Sequence, residues 1–204
     1  LKNVIAFRNK FDVDTIIKTI DKSKTAVVVG GGLLGLEAAY GIAMHGVKTI
    51  LVHRSGSILS QQLDSTGGKL LQKNLEKYGI EFKLNTTVTE ISGTSEVKKV
   101  TFSDETSVES NIVVFATGII PNKELAIDAG LDVNKGIVVD DFLTTSDESI
   151  FAIGECVEHS GNTYGLVAPL YEQAKVLAKK LAGKETVGYA GSTLSTRLKI
   201  SGVD

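Results

Sequence analysis

Apolar positions along this chain switch between two spacings, and each switch marks an element. A short apolar segment, Val4-Ile5-Ala6-Phe7, leads into a helical pattern in which Ile16, Ile17 and Ile20 share a face behind Asp12 or Asp14 as cap. This stretch is expected to enter the first domain from outside. Thr25 to Val29 is a continuous β-branched run, too apolar to alternate, which predicts a strand buried on both faces of a parallel sheet. Leu33, Leu34, Leu36, Ala38, Ala39, Ile42 and Ala43 predict a largely apolar helix that Gly46 stops, and Lys48 to Val52 predicts a second strand. Together they make a βαβ unit. A further helix from about Asp64 to Tyr78, with Leu70, Leu71 and Leu75 inward, ends at Gly79 before a third strand, Ile80 to Leu84.

Between Thr87 and Glu109 the runs shorten to Val88 to Ile91 and Val97 to Phe102, separated by the polar turn Ser92 to Ser95, which predicts a small antiparallel meander. Asn111 to Ala116 is another strand of the buried type, and the loop containing Pro121 is the candidate domain boundary. Beyond it, Ile137 to Val139 and Ser149 to Ile153 predict strands, and Leu170 to Leu181 a helix closed by Gly183. The fold class is α/β: a Rossmann-like parallel sheet with a small antiparallel β-meander.

Composition narrows the function classes. With 204 residues, 42% apolar and 23% charged, the chain is of soluble-globular type and long enough for one large domain or one and a half. Its 22 Lys and Arg against 24 Asp and Glu include no basic block, so nucleic acid is not expected as a partner. No apolar run approaches the ~18 to 20 residues of a membrane helix, and a cytoplasmic protein is expected. Leu1 has neither an initiator Met nor a signal-peptide pattern around it, so a piece of a longer chain is expected. Cys156 is the only cysteine, which leaves no intramolecular disulfide, no Cys-based zinc site and no iron-sulfur cluster held wholly by this chain. His45 and His159 are isolated from carboxylate pairs at ligand spacing, so no metal is assigned.

Gly30-Gly31-Gly32-Leu33-Leu34-Gly35 fits G-x-G-x-x-G. In a chain with 21 glycines such a match is weak alone, and a Gly-rich turn without a ligand would produce it too. Its position directly between a buried strand and a helix makes it specific. Gly30 permits the tight turn, Gly32 lets a pyrophosphate approach the backbone, and Gly35 lets helix and strand pack closely. About 20 residues on, at the end of the second strand, an acid would bind an NAD ribose. His53 and Arg54 stand there instead. They are either two solvated polar residues or, through Arg54, a clamp for a 2'-phosphate, and the coenzyme stays NAD(P)H. Glu37 falls in the first turns of the helix, where the dipole favours a carboxylate whether or not it touches a ligand; a place near the nicotinamide is the alternative.

Val27 to Ala39, followed by Val114 to Asn122 with its Ala116-Thr117-Gly118-Ile119-Ile120-Pro121-Asn122, and by Ile150 to Cys156, resembles the pyridine-nucleotide-dependent flavoprotein reductases with two dinucleotide-binding domains. That resemblance implies that Ala116, Thr117 and Gly118 sit near both cofactors at the crossing into the flavin domain, and that Gly154 and Glu155 sit at FAD, Glu155 replacing the commoner Asp. The residues Gly154 to His159, Tyr164 to Ala174, Ser192 to Asp204 and Gln61 to Asp64, with His53 in place of an acid, are similar to the large-subunit group of assimilatory NAD(P)H-dependent nitrite reductases. The similarity starts after the family's first, FAD-binding glycine motif. Cys156 has no second cysteine, so a small buried residue is favoured over a redox thiol and the thioredoxin-reductase type is excluded.

The resemblance divides the chain into residues 1–22, a linker and helix from the flavin domain; 23–115, the NAD(P)-binding domain; 116–183, the C-terminal part of a second, FAD-binding α/β domain; and 184–204, the start of another linker or domain. It implies hydride transfer from NAD(P)H to FAD, with no acid or base residue required, and sirohaem and an iron-sulfur cluster in other domains of the same polypeptide. Nitrite reduction to ammonia would take place there. A rubredoxin or ferredoxin reductase-type flavoprotein, or a nucleotide-binding fragment without turnover, remains open, as does a homodimer.

Overall fold

The computed structural model describes residues 1–200 and 202. It contains two compact units, Leu1–Gly118 with Arg197–Asp204, and Ile119–Thr196.

The first unit runs β1 (Val4–Ala6), α1 (Lys10–Ile20), β2 (Thr25–Val29), α2 (Leu33–Met44), β3 (Lys48–Val52), α3 (Ser65–Glu76), β4 (Ile80–Lys83), β5 (Val88–Ser92), β6 (Lys99–Phe102), β7 (Ser107–Glu109) and β8 (Ile112–Phe115). Five strands form a parallel sheet in the order β1-β8-β2-β3-β4. The central strands are buried on both faces, as their unbroken apolar runs require. Ala26, Val28, Leu51, Ile112 and Val114 face α1, α2 and α3 through Ile16, Ile20, Leu36, Ala39, Ile42, Leu71 and Leu75. On the opposite face, Val27, Ile50, Val52 and Val113 pack on the antiparallel meander β5-β6-β7 through Val97, Val100 and Phe102. Successive residues of β2 therefore serve two cores, the period-2 consequence of the pleat.

Residues 1–22 differ from the expectation. β1 is the edge strand of this sheet, paired with β8 from Val4 to Ala6, and α1 contributes Ile16 and Ile20 to its core. A three-residue strand carries too little periodicity to announce its partner. The cap of α1 is Asn9, whose side chain accepts the Phe11 and Asp12 amide hydrogens, while Asp12 accepts the Asn9 amide hydrogen at 2.9 Å in a capping box. Asp12 is thus third in the helix rather than its cap. Ile17 and Leu70 are exposed, because at 100° per residue the stripes are set by Ile16 with Ile20 and by Leu71 with Leu75. Asp64 caps α3 by accepting the Gly67 amide hydrogen at 2.7 Å.

The second unit holds α4 (Glu124–Asp128), β9 (Ile137–Val139), β10 (Val157–His159), β11 (Asn162–Thr163) and α5 (Val167–Leu181), the strands ordered β11-β10-β9. Val139, Leu143, Val157, Tyr164 and Tyr189 form its core, with Leu170, Val176 and Leu177 packed against them. Ser149 to Ile153 is not a strand: Phe151 makes a single bridge to Thr144 within a turn closed by Thr145 N–H donating to the Ile150 carbonyl. β10 escapes a hydrophobicity reading because it buries Glu158 and His159. The Glu158 carboxylate accepts the Asn134 side-chain amide and the Lys135 and Gly136 amide hydrogens, and His159 Nε2 lies 2.8 Å from an Asp141 oxygen. Among the described residues no helix is long and apolar enough to cross a membrane.

Candidate nucleotide-binding site

In the first unit, a cleft of about 510 Å³ opens where β2, β3 and β8 end. The carboxyl ends of parallel strands are where such sheets hold ligands, since there the loops diverge and leave a crevice. The cleft is lined by residues 29–34, 52–55, 59–62, 86–88 and 115–118. It thereby brings together Gly30, Gly31, Gly32, Leu33, Leu34, His53, Arg54, Ala116, Thr117 and Gly118.

The glycines divide into two kinds. Gly30 has φ +122°, and a Cβ there would stand 2.2 Å from the Ala116 carbonyl oxygen; at Gly35 it would stand 1.8 Å from that of Gly30. Both sites are closed by backbone, so these glycines let strand, turn and helix touch. At Gly32 a Cβ would meet nothing within 4 Å, and the backbone is extended. Space there is open toward the cleft. Gly32 caps α2 without a side-chain hydrogen bond, and the first amide hydrogens of a helix have no partner inside it, so donors and the positive end of the dipole are both presented.

The second glycine is braced. Gly31 N–H donates to His53 Nδ1 at 3.1 Å, and its carbonyl accepts Leu59 N–H at 2.9 Å. Burial, and then the neighbouring Arg54 charge, lower the His53 pKa below its ordinary value, so the ring is neutral at pH 7. Arg54 is exposed.

Other candidates lie elsewhere. Glu37 does not line the cleft; its Oε1 accepts Lys199 N–H at 2.9 Å. Gly154 and Glu155 belong to the second unit, where Gly154 has φ +104° and donates its N–H to Gln173 Oε1 at 2.8 Å. Burial is the largest influence on the Cys156 thiol and, with Glu155 adding to it, raises its pKa, which disfavours a reactive thiolate. Among the described residues no three His, Cys, Asp or Glu side chains gather to hold a metal.

Leu59, Ser60, Gln61, Gln62, Thr86 and Thr87 also line the cleft, although no motif in the sequence pointed to them as lining residues. Their signal is positional: they come after β3 and β4 on the end of the sheet where the glycine loop lies.

Residues 1–176 match the family described as pyridine nucleotide-disulphide oxidoreductase, and the chain belongs to it. The chain is 50% identical over 203 residues to a nitrite reductase (NAD(P)H) of Bacillus subtilis (strain 168), covering all of this chain and 25% of that protein. It is 34% identical over 184 residues to a rubredoxin-NAD(+) reductase of Alcanivorax borkumensis, covering 90% and 48% of the two. The crystal structure of a ferredoxin reductase from Rhodopseudomonas palustris superposes with a TM-score of 0.86 at 28% identity, over 94% of this chain and 49% of that one. The chain therefore spans about a quarter of its nitrite reductase relative.

Proposed function

We propose that this chain is the electron-input segment of an NAD(P)H-dependent flavoprotein oxidoreductase of the nitrite reductase type. The observation that carries the reading is the open space above Gly32, at the start of a helix and between backbone-packed Gly30 and Gly35. Bound there, NAD(P)H would supply a hydride for reduction of a flavin. The amides opening α2 hold the pyrophosphate, with Gly32 admitting it to contact distance. His53 and Arg54 face the adenosine ribose end, and Ala116, Thr117 and Gly118 form the rim after β8. No side chain of the cleft has to move a proton, since position and electrostatics are what such a site contributes.

Toward FAD the fit is partial. Gly154 leaves its Cβ direction open, with nothing within 4 Å, and Glu155 follows it, but the second unit, with Gly165 alone lying between β11 and α5, has no G-x-G-x-x-G loop between a strand and a helix among its described residues. Its carboxylate and loop would hold one side of the flavin, and the remainder of that site is assigned to other segments of a longer polypeptide. The second unit, Ile119–Thr196, is read as the later part of the FAD-binding domain, so that Ala116, Thr117 and Gly118, expected in that domain, stay with the first unit. The 50% identity to a protein named as a nitrite reductase supports nitrite reduction by the longer protein; ammonia as its product, a sirohaem and an iron-sulfur cluster in other domains, and a cytoplasmic location are carried over from the family resemblance alone. The similarity to a rubredoxin-NAD(+) reductase supports a second reading, in which the electrons go to a small carrier protein.

The test is a calorimetric titration of the purified chain with NADH and NADPH, alongside its visible spectrum. Nucleotide binding, a colourless preparation and no NAD(P)H oxidase activity are expected. A yellow preparation with stoichiometric FAD and steady NADH oxidation would overturn the division of the sites.

Coenzyme choice gives a separate prediction. Only NADPH offers Arg54 a phosphate, and a charge-assisted bond to it is worth ~1.5 to 3 kcal/mol when well formed. Arg54→Ala should weaken NADPH by about ten- to a hundredfold and leave NADH nearly unchanged. Equal losses for both coenzymes refute the clamp.

A further inference from the structure

His53 stands at the strand end where an acid would bind the ribose, and its ring lies on the glycine loop. Gly31 N–H donates to its Nδ1 at 3.1 Å, and a Cβ on Gly31 would stand 2.7 Å from His53 Cγ, so ring and loop are in contact. The main chain of His53 is locked from the other side. Its N–H donates to the Lys83 carbonyl at 2.8 Å and its carbonyl accepts Thr86 N–H at 3.0 Å. The ring is therefore carried by the sheet and holds the amide side of Gly31, the Gly30 N–H being held by the Val52 carbonyl and the Gly31 carbonyl by Leu59 N–H, each at 2.9 Å. A ring nitrogen that accepts a hydrogen bond carries no proton, so neutral His53 has its proton on Nε2.

We propose that His53 is a positioning residue of the nucleotide site: its neutral ring, through Nδ1, holds the Gly30–Gly31 peptide in the orientation in which the glycine loop receives the pyrophosphate, and protonation of Nδ1 removes that hold. The inference rests on the nucleotide-site reading. Few charges surround the ring. The glycine loop has no titratable side chain, β4 contributes Lys83 with its ammonium on Asp104 at 3.1 Å, the segment after β4 contributes Thr86, and Arg54 is the adjoining charge. Burial and Arg54 keep the ring neutral to lower pH than an ordinary histidine. The ring of the folded chain is thus neutral throughout the range above 6.5, and its hold on Gly31, with the ligand affinity that depends on it, is lost only as pH falls through the lowered folded value.

Two roles for His53 predict opposite pH dependences. An imidazolium that attracted coenzyme phosphates would tighten binding in acid. A brace released by protonation weakens it.

The experiment measures the Kd of ADP-ribose by calorimetry between pH 8 and 5 for the full 204-residue chain, His53→Asn and His53→Ala. Asparagine can offer its side-chain oxygen in place of Nδ1 and does not titrate. Wild-type affinity should fall roughly five- to tenfold in acid, the loss of one hydrogen bond. His53→Asn should hold its affinity across the range, and His53→Ala should bind weakly at every pH. Nitrogen NMR of the ligand-free chain should show an unprotonated Nδ1 at neutral pH and a Gly31 amide that shifts with the His53 titration. Binding that is constant or tighter in acid overturns the brace while leaving the site intact. If the NMR signature is present but ADP-ribose binds at no pH, the nucleotide-site reading falls and the positioning role falls with it.

Discussion

Gly32→Val should keep the fold at a small cost to the cap of α2 and lose its nucleotide. The backbone of Gly32 is extended, with φ −86° and ψ −176°, a region that β-branched residues favour, and nothing lies within 4 Å of the Cβ position. The isopropyl group therefore meets no protein atom near its base. It projects into the space that the pyrophosphate must occupy to reach the amides of α2. A block at that point should weaken NADH and NADPH alike by about two orders of magnitude or more, equivalent to ~2.7 kcal/mol. Calorimetry measures the loss, and a melting temperature lowered by no more than about 2 to 4 °C, the cost of ~1 kcal/mol for an N-cap valine, shows that it is not unfolding. Undiminished binding in a folded Gly32→Val chain would place the pyrophosphate elsewhere.

Gly35→Ala should behave in the opposite way. Its Cβ would stand 1.8 Å from the Gly30 carbonyl oxygen, a backbone atom that cannot swing aside as a side chain would. α2 must shift away from β2, and Leu36, Ala39 and Ile42 lose their packing with it. Overpacking of this kind costs about 1 to 3 kcal/mol, and backbone placement puts the expectation at the upper end. The melting temperature should drop by about 5 to 10 °C at that cost, with nucleotide affinity falling as a consequence of the displaced loop. A Gly35→Ala chain that melts with the wild type would mean that helix and strand are less tightly joined than these distances require. One motif thus contains a glycine reserved for the ligand and two reserved for the fold.

The parallel sheet and the glycine loop were legible because each depends on residues close together in the chain. Thr25 to Val29 reads as a doubly buried strand because no polar residue interrupts it, and Gly30 to Gly35 acquires meaning from the strand and helix on either side. The meander was legible in its first two strands, two short β runs around one polar turn, while β7, Ser107–Glu109, has a single apolar residue and went unread. β10 was not, because its burial of Glu158 and His159 depends on partners supplied by Asn134 to Gly136 and by Asp141. The stretch Ser149 to Ile153 failed in the other direction: an apolar run predicts a strand only where a neighbouring strand is available to pair with it, and Phe151 has one bridge.

By itself the sequence determined the βαβ unit, the place of the dinucleotide motif within it, and the absence of an acid at the end of β3, since all three are read from residue type and spacing. Only the tertiary structure decided what those residues touch. It seated His53 on Gly31, made Val4 to Ala6 the sheet's edge, and brought Leu59 to Gln62 to the cleft wall. It also gave Glu37 a partner 162 positions away, the Lys199 amide, where chain position alone left a dipole-favoured carboxylate and a place near the nicotinamide both open. The reason is physical: periodicity and propensity are local, whereas a hydrogen bond depends on which surfaces meet after the chain has closed on itself, and that meeting leaves no mark in the spacing of either partner.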